Sequence, residues 1–295
     1  MDEIFGVPIQ AFMGQLMLGL VNGSFYALLS LGLAVIFGML NIVNFAHGAL
    51  YMVGAFFSWM LLNYHGVNYW AALVIVPLAV GLIGVVIEKF LLQWLQGLDH
   101  LYGLLLTFGL ALIIEGIFRE GYGSSGQPYD LPQVFKGAFD LGFMFLPKYR
   151  AWVVVAAIVA CMATWYVIEK TKLGAYLRAG TENPNMVKAF GVNVPLMVTL
   201  TYAFGVGLAG LAGVMAAPIY QVSPLMGSNI IIIVFAVVVI GGMGSILGSI
   251  ITGLALGLIE GLTKVFYAEI STTVVFIIMA IVLMVRPAGL FGREK

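Results

Sequence analysis

The chain has 295 residues, of which 62% are hydrophobic and only 9% are charged. A soluble domain carries about 25% charged residues, so this chain has too few charges to cover a water-facing surface. Its 13 basic and 13 acidic residues give a formal net charge of zero, which argues against the clustered positive charge that nucleic-acid binding needs. We therefore expect a membrane protein whose outer surface contacts the lipid bilayer, with no nucleic acid among its partners.

The single cysteine, Cys161, lies inside an apolar run. One cysteine excludes an intrachain disulfide and a cysteine-based metal site. The first residues, Met1, Asp2 and Glu3, lack the positive charge that precedes the apolar core of a signal peptide. We therefore expect the first apolar stretch to be retained as a membrane span.

Apolar runs between polar clusters define the candidate spans, because a spanning helix needs about 20 apolar residues at a rise of about 1.5 Å each. Such runs lie at residues 12–40, 49–62, 69–92, 101–118, 151–168, 196–217, 229–240, 246–266 and 271–285. They predict an all-α, polytopic transmembrane helical bundle of about eight spans, or nine if every run crosses. The first run exceeds one span, which predicts a tilted helix or an interfacial extension.

Three segments between or after these runs set the expected orientation. Residues 119–150 form a mixed polar loop, whereas residues 169–195 and the tail 286–295 are basic. The basic residues include Lys170, Lys172, Arg178, Lys188, Arg286, Arg293 and Lys295. Because Lys and Arg are enriched in short cytoplasmic segments, we expect the segment 169–195 and the C-terminus in the cytoplasm, and the N-terminus and the loop 119–150 on the opposite side.

Within the basic segment, residues 183–191 predict a short helix with defined ends. Asn183 is a good N-cap and Pro184 suits the first helical position. Gly191 suits the position just beyond the last turn. A helix of about two turns is marginal alone in water, so it needs a surface on which to pack.

Met186, Val187 and Phe190 can share one apolar face of that helix. An apolar face on a short capped helix fits a groove on a partner protein. The alternative is a helix that folds back onto its own bundle or lies at the lipid interface.

Two groups of glycines suggest different roles. Gly205, Gly207, Gly210 and Gly213 lie on related faces of one run, which predicts close helix packing. The sequence GGMGS at residues 241–245 predicts a broken helix or, as we favour, a tight turn between two spans. No GxxxxGK[ST] phosphate-binding loop occurs, so any nucleotide hydrolysis belongs to another chain.

Polar residues inside the apolar runs are the candidates for a solute path, because such residues tend to face the interior of a bundle. Asn22, Ser24 and Tyr26 lie in the first run, and Asn44 and His47 lie between the first two runs. The two amides of Asn41 and Asn44 and the imidazole of His47 could line a pore mouth, or they could hydrogen-bond backbone groups freed in a re-entrant turn. His47 has no carboxylate or second histidine nearby in sequence, so we favour a structural role for it.

Three carboxylates lie near the predicted span ends. Glu88 could pair with Lys89 or reach the interface. Glu115 and Glu260 could meet an ammonium-bearing solute, could extend toward the membrane interface, or could form salt bridges with Arg119 or Lys264. No catalytic triad, paired-carboxylate signature or HExxH motif occurs, so the sequence predicts no enzyme.

Several motifs together resemble the permeases of branched-chain amino acid ABC transporters, most closely the shorter of the two permeases in such systems. The motifs are NGSFYAL at residues 22–28, NFAHG at 44–48, TxLGxxxRA at 171–179, GVNV at 191–194, GGMGS at 241–245 and RPxGLFG at 286–292. The similarity covers nearly the whole chain. It implies one permease domain over residues 1–295, with a cytoplasmic coupling loop at 169–195, in the bacterial inner membrane.

The resemblance also implies partners: a second permease, two cytoplasmic ATPase subunits that hydrolyse ATP, and a periplasmic substrate-binding protein. No cofactor is expected on this chain itself. We predict a substrate path that includes Asn22, Ser24, Tyr26, Asn44, His47, Thr107, Gly242 and Ser245. We predict that ATPase coupling involves Arg178, Glu182, Asn183, Pro184, Met186, Val187, Phe190 and Gly191.

Relatives with the same motifs transport branched-chain and other amino acids, urea, short amides and some aromatic acids, so the resemblance leaves the solute open. Two further functions remain as alternatives. An autonomous ion-coupled carrier would need a carboxylate near the middle of the membrane, whereas the carboxylates here lie toward span ends. A non-transporting scaffold would leave the polar and glycine-rich breaks at residues 41–48 and 241–245 without a purpose.

Overall fold

A computed structural model describes residues 3–4, 6–40, 42–95, 98–142 and 144–292. Met1, Asp2, Asn41, Arg293 and Lys295, which entered the sequence analysis, lie outside the described residues. In the described part the fold is all-α, with eleven α-helices and two short β-hairpins, which confirms the predicted fold class.

The helices are α1 (Ile9–Leu40), α2 (Ala46–His65), α3 (Tyr69–Phe90), α4 (His100–Tyr122), α5 (Lys148–Lys170), α6 (Lys172–Glu182), α7 (Pro184–Ala189), α8 (Val194–Ala216), α9 (Met226–Gly241), α10 (Ile246–Phe266) and α11 (Thr273–Val285). The strands are β1 (Glu3–Ile4), β2 (Val7–Pro8), β3 (Ala138–Asp140) and β4 (Phe145–Pro147), paired antiparallel as β1–β2 and β3–β4. Short 3-10 turns lie at Leu92–Leu95, Gln133–Phe135 and Ala268–Ile270.

Each of the nine predicted apolar runs forms a helix, but the helices differ in length. Among the described residues, six are long and apolar enough to cross a membrane: α1, α3 with its 3-10 extension, α4, α5, α8 and α10. Helices α9 and α11 are apolar but shorter. The chain is therefore a multi-pass membrane protein, and the predicted count of eight spans is not established.

One face of α3 shows why the protein needs a lipid environment. Val74, Leu78, Leu82 and Val86 follow one another at four-residue spacing, and all four are exposed. Residues four apart lie above one another on a helix, so they form a continuous apolar stripe. Soluble proteins rarely expose a large contiguous apolar patch, and lipid is the solvent in which this stripe is stable.

The chain divides into two compact units, each described by itself. The second unit comprises Leu31–Asp130 and Met162–Ile232. Its core forms where α2, α3 and α8 pack together. The predicted packing role of the α8 glycines is confirmed there: a Cβ atom on Gly205 would lie 2.7 Å from the carbonyl oxygen of Gly32, and one on Gly210 would lie 2.9 Å from Cβ of Val80.

The first unit comprises Met1–Ser30, Leu131–Cys161 and Ile233–Lys295. Here α1 and α10 approach along a second glycine seam that the sequence analysis did not identify. A Cβ atom on Gly19 would lie 2.5 Å from the carbonyl oxygen of Gly257, and one on Gly253 would lie 2.5 Å from the amide nitrogen of Ala27. Only hydrogen fits at these positions, so the two backbones pack directly against each other.

The loop between α4 and α5 is tied down at its start. Gln127 and Val222 exchange two backbone hydrogen bonds of 2.8 and 3.0 Å. The Trp59 indole donates to the carbonyl oxygen of Pro128 at 3.0 Å, and the Ser58 hydroxyl donates to the Tyr129 hydroxyl at 3.1 Å. Burial raises the pKa of the Tyr129 phenol above its ordinary value.

We predict that Gly253→Ala destabilises the protein, whereas Gly109→Ala does not. A methyl group at Gly253 meets the backbone of Ala27, while one at Gly109 on α4 meets nothing within 4 Å. Overpacking costs about 1–3 kcal/mol, whereas Gly→Ala at an open helical site gains about 1 kcal/mol. The measurement is the apparent unfolding temperature of purified protein in detergent. Equal temperatures for the two variants would contradict the packing role of the α1–α10 seam.

Candidate functional site

The chain leaves helical geometry between α1 and α2, and Asn44 lies in this break. Asn44 is buried, and its side-chain nitrogen donates to the Tyr202 hydroxyl on α8 at 3.0 Å. Among the described residues, no hydrogen-bond partner meets the side-chain oxygen of Asn44. A buried amide oxygen without a hydrogen-bond partner costs free energy. The Asn44 side-chain oxygen is such an unused acceptor in the second unit.

Thr107 on α4 forms hydrogen bonds with backbone groups in the same break. Its hydroxyl accepts from the amide of Phe45 at 3.2 Å, and lies within 3.1 Å of the carbonyl oxygens of Val43 and Leu104. Thr107 is fully buried. It therefore bonds the backbone groups that the helix break frees, a role that the sequence did not predict for Thr107.

His47 lies in the first turn of α2 and is fully buried. Its amide donates to the carbonyl oxygen of Asn44 at 3.3 Å, which closes the turn into the helix. Its ring packs beside α1, because a Cβ atom on Gly32 would lie 3.0 Å from Cε1 of His47. Within the described part of the chain, no group of three or more His, Cys, Asp or Glu side chains could hold a metal ion.

In the first unit, Tyr26 on α1 belongs to a buried ionic cluster on α10. The Tyr26 hydroxyl donates to one carboxylate oxygen of Glu260 at 2.6 Å, and the Lys264 ammonium lies 2.5 Å from the other oxygen. The Ser24 hydroxyl donates to the carbonyl oxygen of Leu20 at 2.8 Å, within its own helix. Asn22, one turn earlier than Tyr26, is half-buried.

The three carboxylates near span ends follow two patterns. Glu115 and Glu260 form salt bridges with Arg119 and Lys264, which confirms one of the predicted alternatives. The prediction for Glu88 is wrong: it is buried rather than interfacial, and it does not pair with Lys89. Instead, the Thr199 hydroxyl on α8 donates to the Glu88 carboxylate at 2.5 Å.

The GGMGS sequence forms the favoured tight turn between α9 and α10. Gly242 has a φ of 99°, a backbone conformation that suits glycine. The Ser245 hydroxyl accepts from the amide of Gly248 at 3.1 Å and so caps α10. The amides of Leu290 and Phe291 donate to the carbonyl oxygens at the end of α9, Ile240 and Gly241, at 2.8 and 3.2 Å. Two separate motifs, GGMGS and RPxGLFG, therefore meet in one backbone-bonded junction.

The predicted short helix exists as α7, with the predicted ends. The Asn183 side chain accepts from the amide of Met186 at 3.0 Å, Pro184 is the first helical residue, and Gly191 has a φ of 81°. A further helix, α6, which the sequence analysis did not predict, precedes it and ends at Glu182.

Arg178 holds α6 against the end of α5. Its guanidinium donates to the carbonyl oxygen of Ile168 at 3.1 Å and lies 3.3 Å from the carboxylate of Glu169. Gly174 passes so close to the Ile168 carbonyl that a side chain there would overlap it. The TxLGxxxRA motif thus builds the tight corner from α5 to α6.

The apolar residues of α7 do not share one face as predicted. Val187 is only 7% exposed and packs inward, whereas Met186 and Phe190 are 59% and 78% exposed. The correction follows from helix geometry, because residues 186 and 190 are one turn apart and residue 187 is rotated by about 100° from residue 186. Val187 therefore fixes α7 to its own unit, and Met186 and Phe190 form an outward apolar pair.

The predicted path residues are divided between the two units. Asn44, His47 and Thr107 lie together at the α1–α2 break in the second unit. Asn22, Ser24, Tyr26, Gly242 and Ser245 lie in the first unit, where Tyr26 joins the Glu260 cluster and Gly242 and Ser245 form the turn. Two further residues of α8, Tyr202 and Thr199, were not predicted: their hydroxyls bond Asn44 and Glu88, respectively, and their apolar surroundings in sequence gave no signal.

We predict that Glu260→Gln destabilises the protein more than Glu115→Gln. Both substitutions remove the carboxylate of an i,i+4 ion pair. The side chain of Glu260 is 4% exposed, whereas that of Glu115 is 15% exposed. Glu260→Gln also removes the charge from the acceptor of the Tyr26 hydrogen bond. Hydrogen bonds to charged groups contribute about 1.5–3 kcal/mol, and exposed ion pairs contribute less than about 1 kcal/mol. Apparent unfolding temperatures in detergent compare the two. A larger loss for Glu115→Gln would contradict the structural role of the cluster.

Comparisons with known proteins give one consistent result. The high-affinity branched-chain amino acid transport system permease protein LivH of Escherichia coli (strain K12) is 29% identical over 303 aligned residues, covering 96% of each chain. BraD, the permease protein of the corresponding system of Pseudomonas aeruginosa, is 28% identical and covers 97% of this chain and 98% of its own. The permease protein LivM of E. coli is 26% identical over 92% of this chain and 68% of its own. Comparison with solved structures gave no significant match.

The family profile described as the permease component of the branched-chain amino acid transport system matches residues 15–285. This range begins in α1 and ends with α11, and so covers all of the second unit and most of the first. The similar proteins are transport permeases rather than enzymes. The chain therefore belongs to the family of permease components of branched-chain amino acid transport systems.

Proposed function

We propose that this chain is one of two permease subunits of an ABC importer, which takes a solute from a periplasmic binding protein and is driven by two ATPase subunits in the cytoplasm. The observation that carries this proposal is the outward apolar pair on α7. Met186 and Phe190 project from a capped helix that Val187 holds to the second unit. Such a pair suits insertion into a groove on another protein.

The proposal includes an orientation in the bacterial inner membrane. The basic segment with α6 and α7 lies in the cytoplasm, beside the ATPases, and the N-terminus lies on the periplasmic side. The distribution of Lys and Arg supports this arrangement. Nucleotide binds only to the ATPase subunits, because this chain has no phosphate-binding loop.

Branched-chain amino acids are the solute class we propose. The similar proteins LivH and BraD are both permeases of high-affinity branched-chain amino acid transport systems. Urea, short amides and aromatic acids are the alternative solutes for an importer of the same type. A second permease is supported by the resemblance to both LivH and LivM, which are two different permease proteins of E. coli.

An autonomous ion-coupled carrier is less well supported by the geometry. Glu260 and Glu115 are bound to Lys264 and Arg119, and Glu88 accepts from Thr199. A carboxylate that carries ions must exchange its partner during transport. The exposed pair on α7 would also have no role in a carrier that works alone.

Within the solute path, we assign a direct role to the side-chain oxygen of Asn44. This oxygen is buried and has no hydrogen-bond partner among the described residues, whereas the nitrogen of the same amide is bound to Tyr202. An ammonium group of an amino acid is the donor that such an acceptor lacks. His47 and Thr107 support the same break from α2 and α4.

We predict that Asn44→Leu lowers solute uptake more than Tyr202→Phe does. Both variants remove the Asn44–Tyr202 hydrogen bond, but only Asn44→Leu removes the free acceptor. We expect uptake by the reconstituted importer at subsaturating leucine to fall about tenfold for Asn44→Leu, equivalent to about 1.4 kcal/mol, and less than about threefold for Tyr202→Phe. Equal losses at equal protein levels would limit Asn44 to a structural role.

We predict that Phe190→Asp uncouples ATP hydrolysis from uptake, whereas Phe190→Leu preserves coupling. Phe190 is exposed, so neither change disturbs the packing of α7, but the carboxylate cannot enter an apolar groove. The measurements are ATPase activity and leucine uptake by the complete importer in proteoliposomes. Normal ATP-driven uptake by Phe190→Asp would contradict docking through α7. Val187→Asp is the control for unfolding, because this side chain is buried.

A further inference from the structure

A cavity with both charged and apolar walls lies beside α7. Its volume is about 320 Å³, and it opens in the second unit where the end of α1, the start of α4 and the segment from α6 to α8 meet. Pockets that bind small molecules in proteins have volumes of about 300–1,000 Å³. The cavity is therefore large enough for a single small solute.

Opposite charges line this cavity. Asp99 comes from the start of α4 and Lys188 from α7, with the imidazole of His100 beside Asp99. One carboxylate oxygen of Asp99 accepts from the amide of Leu101 at 2.9 Å, which caps α4. The other oxygen carries no ion pair, and neither does the Lys188 ammonium, within the ranges of the chain that the structure describes.

The rest of the lining includes aliphatic side chains, among them Leu40, Ile42 and Val198. An anion alone would meet the Asp99 carboxylate, and a cation alone would meet the Lys188 ammonium. A neutral solute would leave both charges without a partner. A zwitterion with an aliphatic side chain matches all three features, because charged groups bind strongly to opposite charges and the aliphatic part covers apolar surface.

We propose that this cavity binds a free aliphatic amino acid, whose ammonium group binds Asp99 and whose carboxylate binds Lys188. The proposal rests on the proposed function, because that function places α7 and the cavity on the cytoplasmic side. There the imported amino acid accumulates. A ligand that bridges α4 and α7 stabilises the conformation in which these two helices lie together. It shifts the conformational equilibrium toward that conformation because it binds that conformation more tightly. A high concentration of the amino acid in the cytoplasm then slows uptake.

The test is binding of radiolabelled leucine to the complete importer in nanodiscs, without nucleotide and without the binding protein. Asp99→Asn keeps the helix cap and removes the charge, since both residues are good N-caps. We expect Asp99→Asn and Lys188→Met each to weaken leucine binding about tenfold or more. Lys172→Met is the matched control, because Lys172 is exposed and lies outside the cavity, and its leucine affinity should equal that of the unmodified chain.

Leucine binding that is unchanged in both Asp99→Asn and Lys188→Met would overturn the proposal, and so would the absence of leucine binding. A lipid with a zwitterionic headgroup is the other source of the same chemistry. Nanodiscs of phosphatidylglycerol, with and without phosphatidylethanolamine, separate the two sources: equal binding supports the free amino acid, and loss of binding with phosphatidylethanolamine overturns it. Loss of uptake or of ATPase coupling would bear on the proposed function alone, because this binding assay requires neither.

Discussion

Buried backbone groups that leave helical hydrogen bonding need partners from the protein, because burial separates them from water. This requirement applies at two breaks in the helical structure. Between α1 and α2, the Thr107 hydroxyl meets the amide of Phe45 and the carbonyl of Val43. After α9, the amides of Leu290 and Phe291 meet the carbonyls of Ile240 and Gly241. Each break can exist only because another segment of its own unit bonds to it.

The second requirement is close contact between helices without a hydrophobic driving force, since lipid is as apolar as the helix surfaces. Glycine meets it in each unit. On α10, Gly253 and Gly257 lie against Ala27 and Gly19 of α1. On α8, Gly205 lies against Gly32. Backbone contact gains dispersion energy over long stretches of helix, and it leaves little space for side chains. Polar side chains such as Asn44 and Glu260 are therefore held in narrow, defined surroundings.

The elements that the sequence predicts well are those with local signals. Asn183, Pro184 and Gly191 define the ends of α7 because capping depends on neighbouring backbone groups. Composition and apolar runs can likewise be read without knowing any long-range contact, and they predict an all-α membrane protein. The α8 glycines were recognisable as a packing face because they recur along one helix.

The remaining features depend on contacts between residues that are distant in sequence. Nothing near Tyr26 indicates a bond to Glu260, which is 234 residues away. The inward direction of Val187 and the burial of Glu88 depend on which helices lie beside them. The junction between the GGMGS turn and residues 290–291 could not be predicted, because GGMGS alone predicts only a turn and RPxGLFG carries no local signal for a partner. In the proposed importer, the outward pair of Met186 and Phe190 is the surface that would connect this fold to an ATPase subunit.

The central claim is that this permease works inside a complex with a second permease and two ATPases. The most direct measurement is purification of the tagged chain from its native membrane in mild detergent, with the subunits that accompany it identified by mass. The account predicts two ATPase subunits and one further permease in defined proportion. Recovery of the chain alone, folded and in good yield, would contradict the account and would favour a carrier that acts without partners.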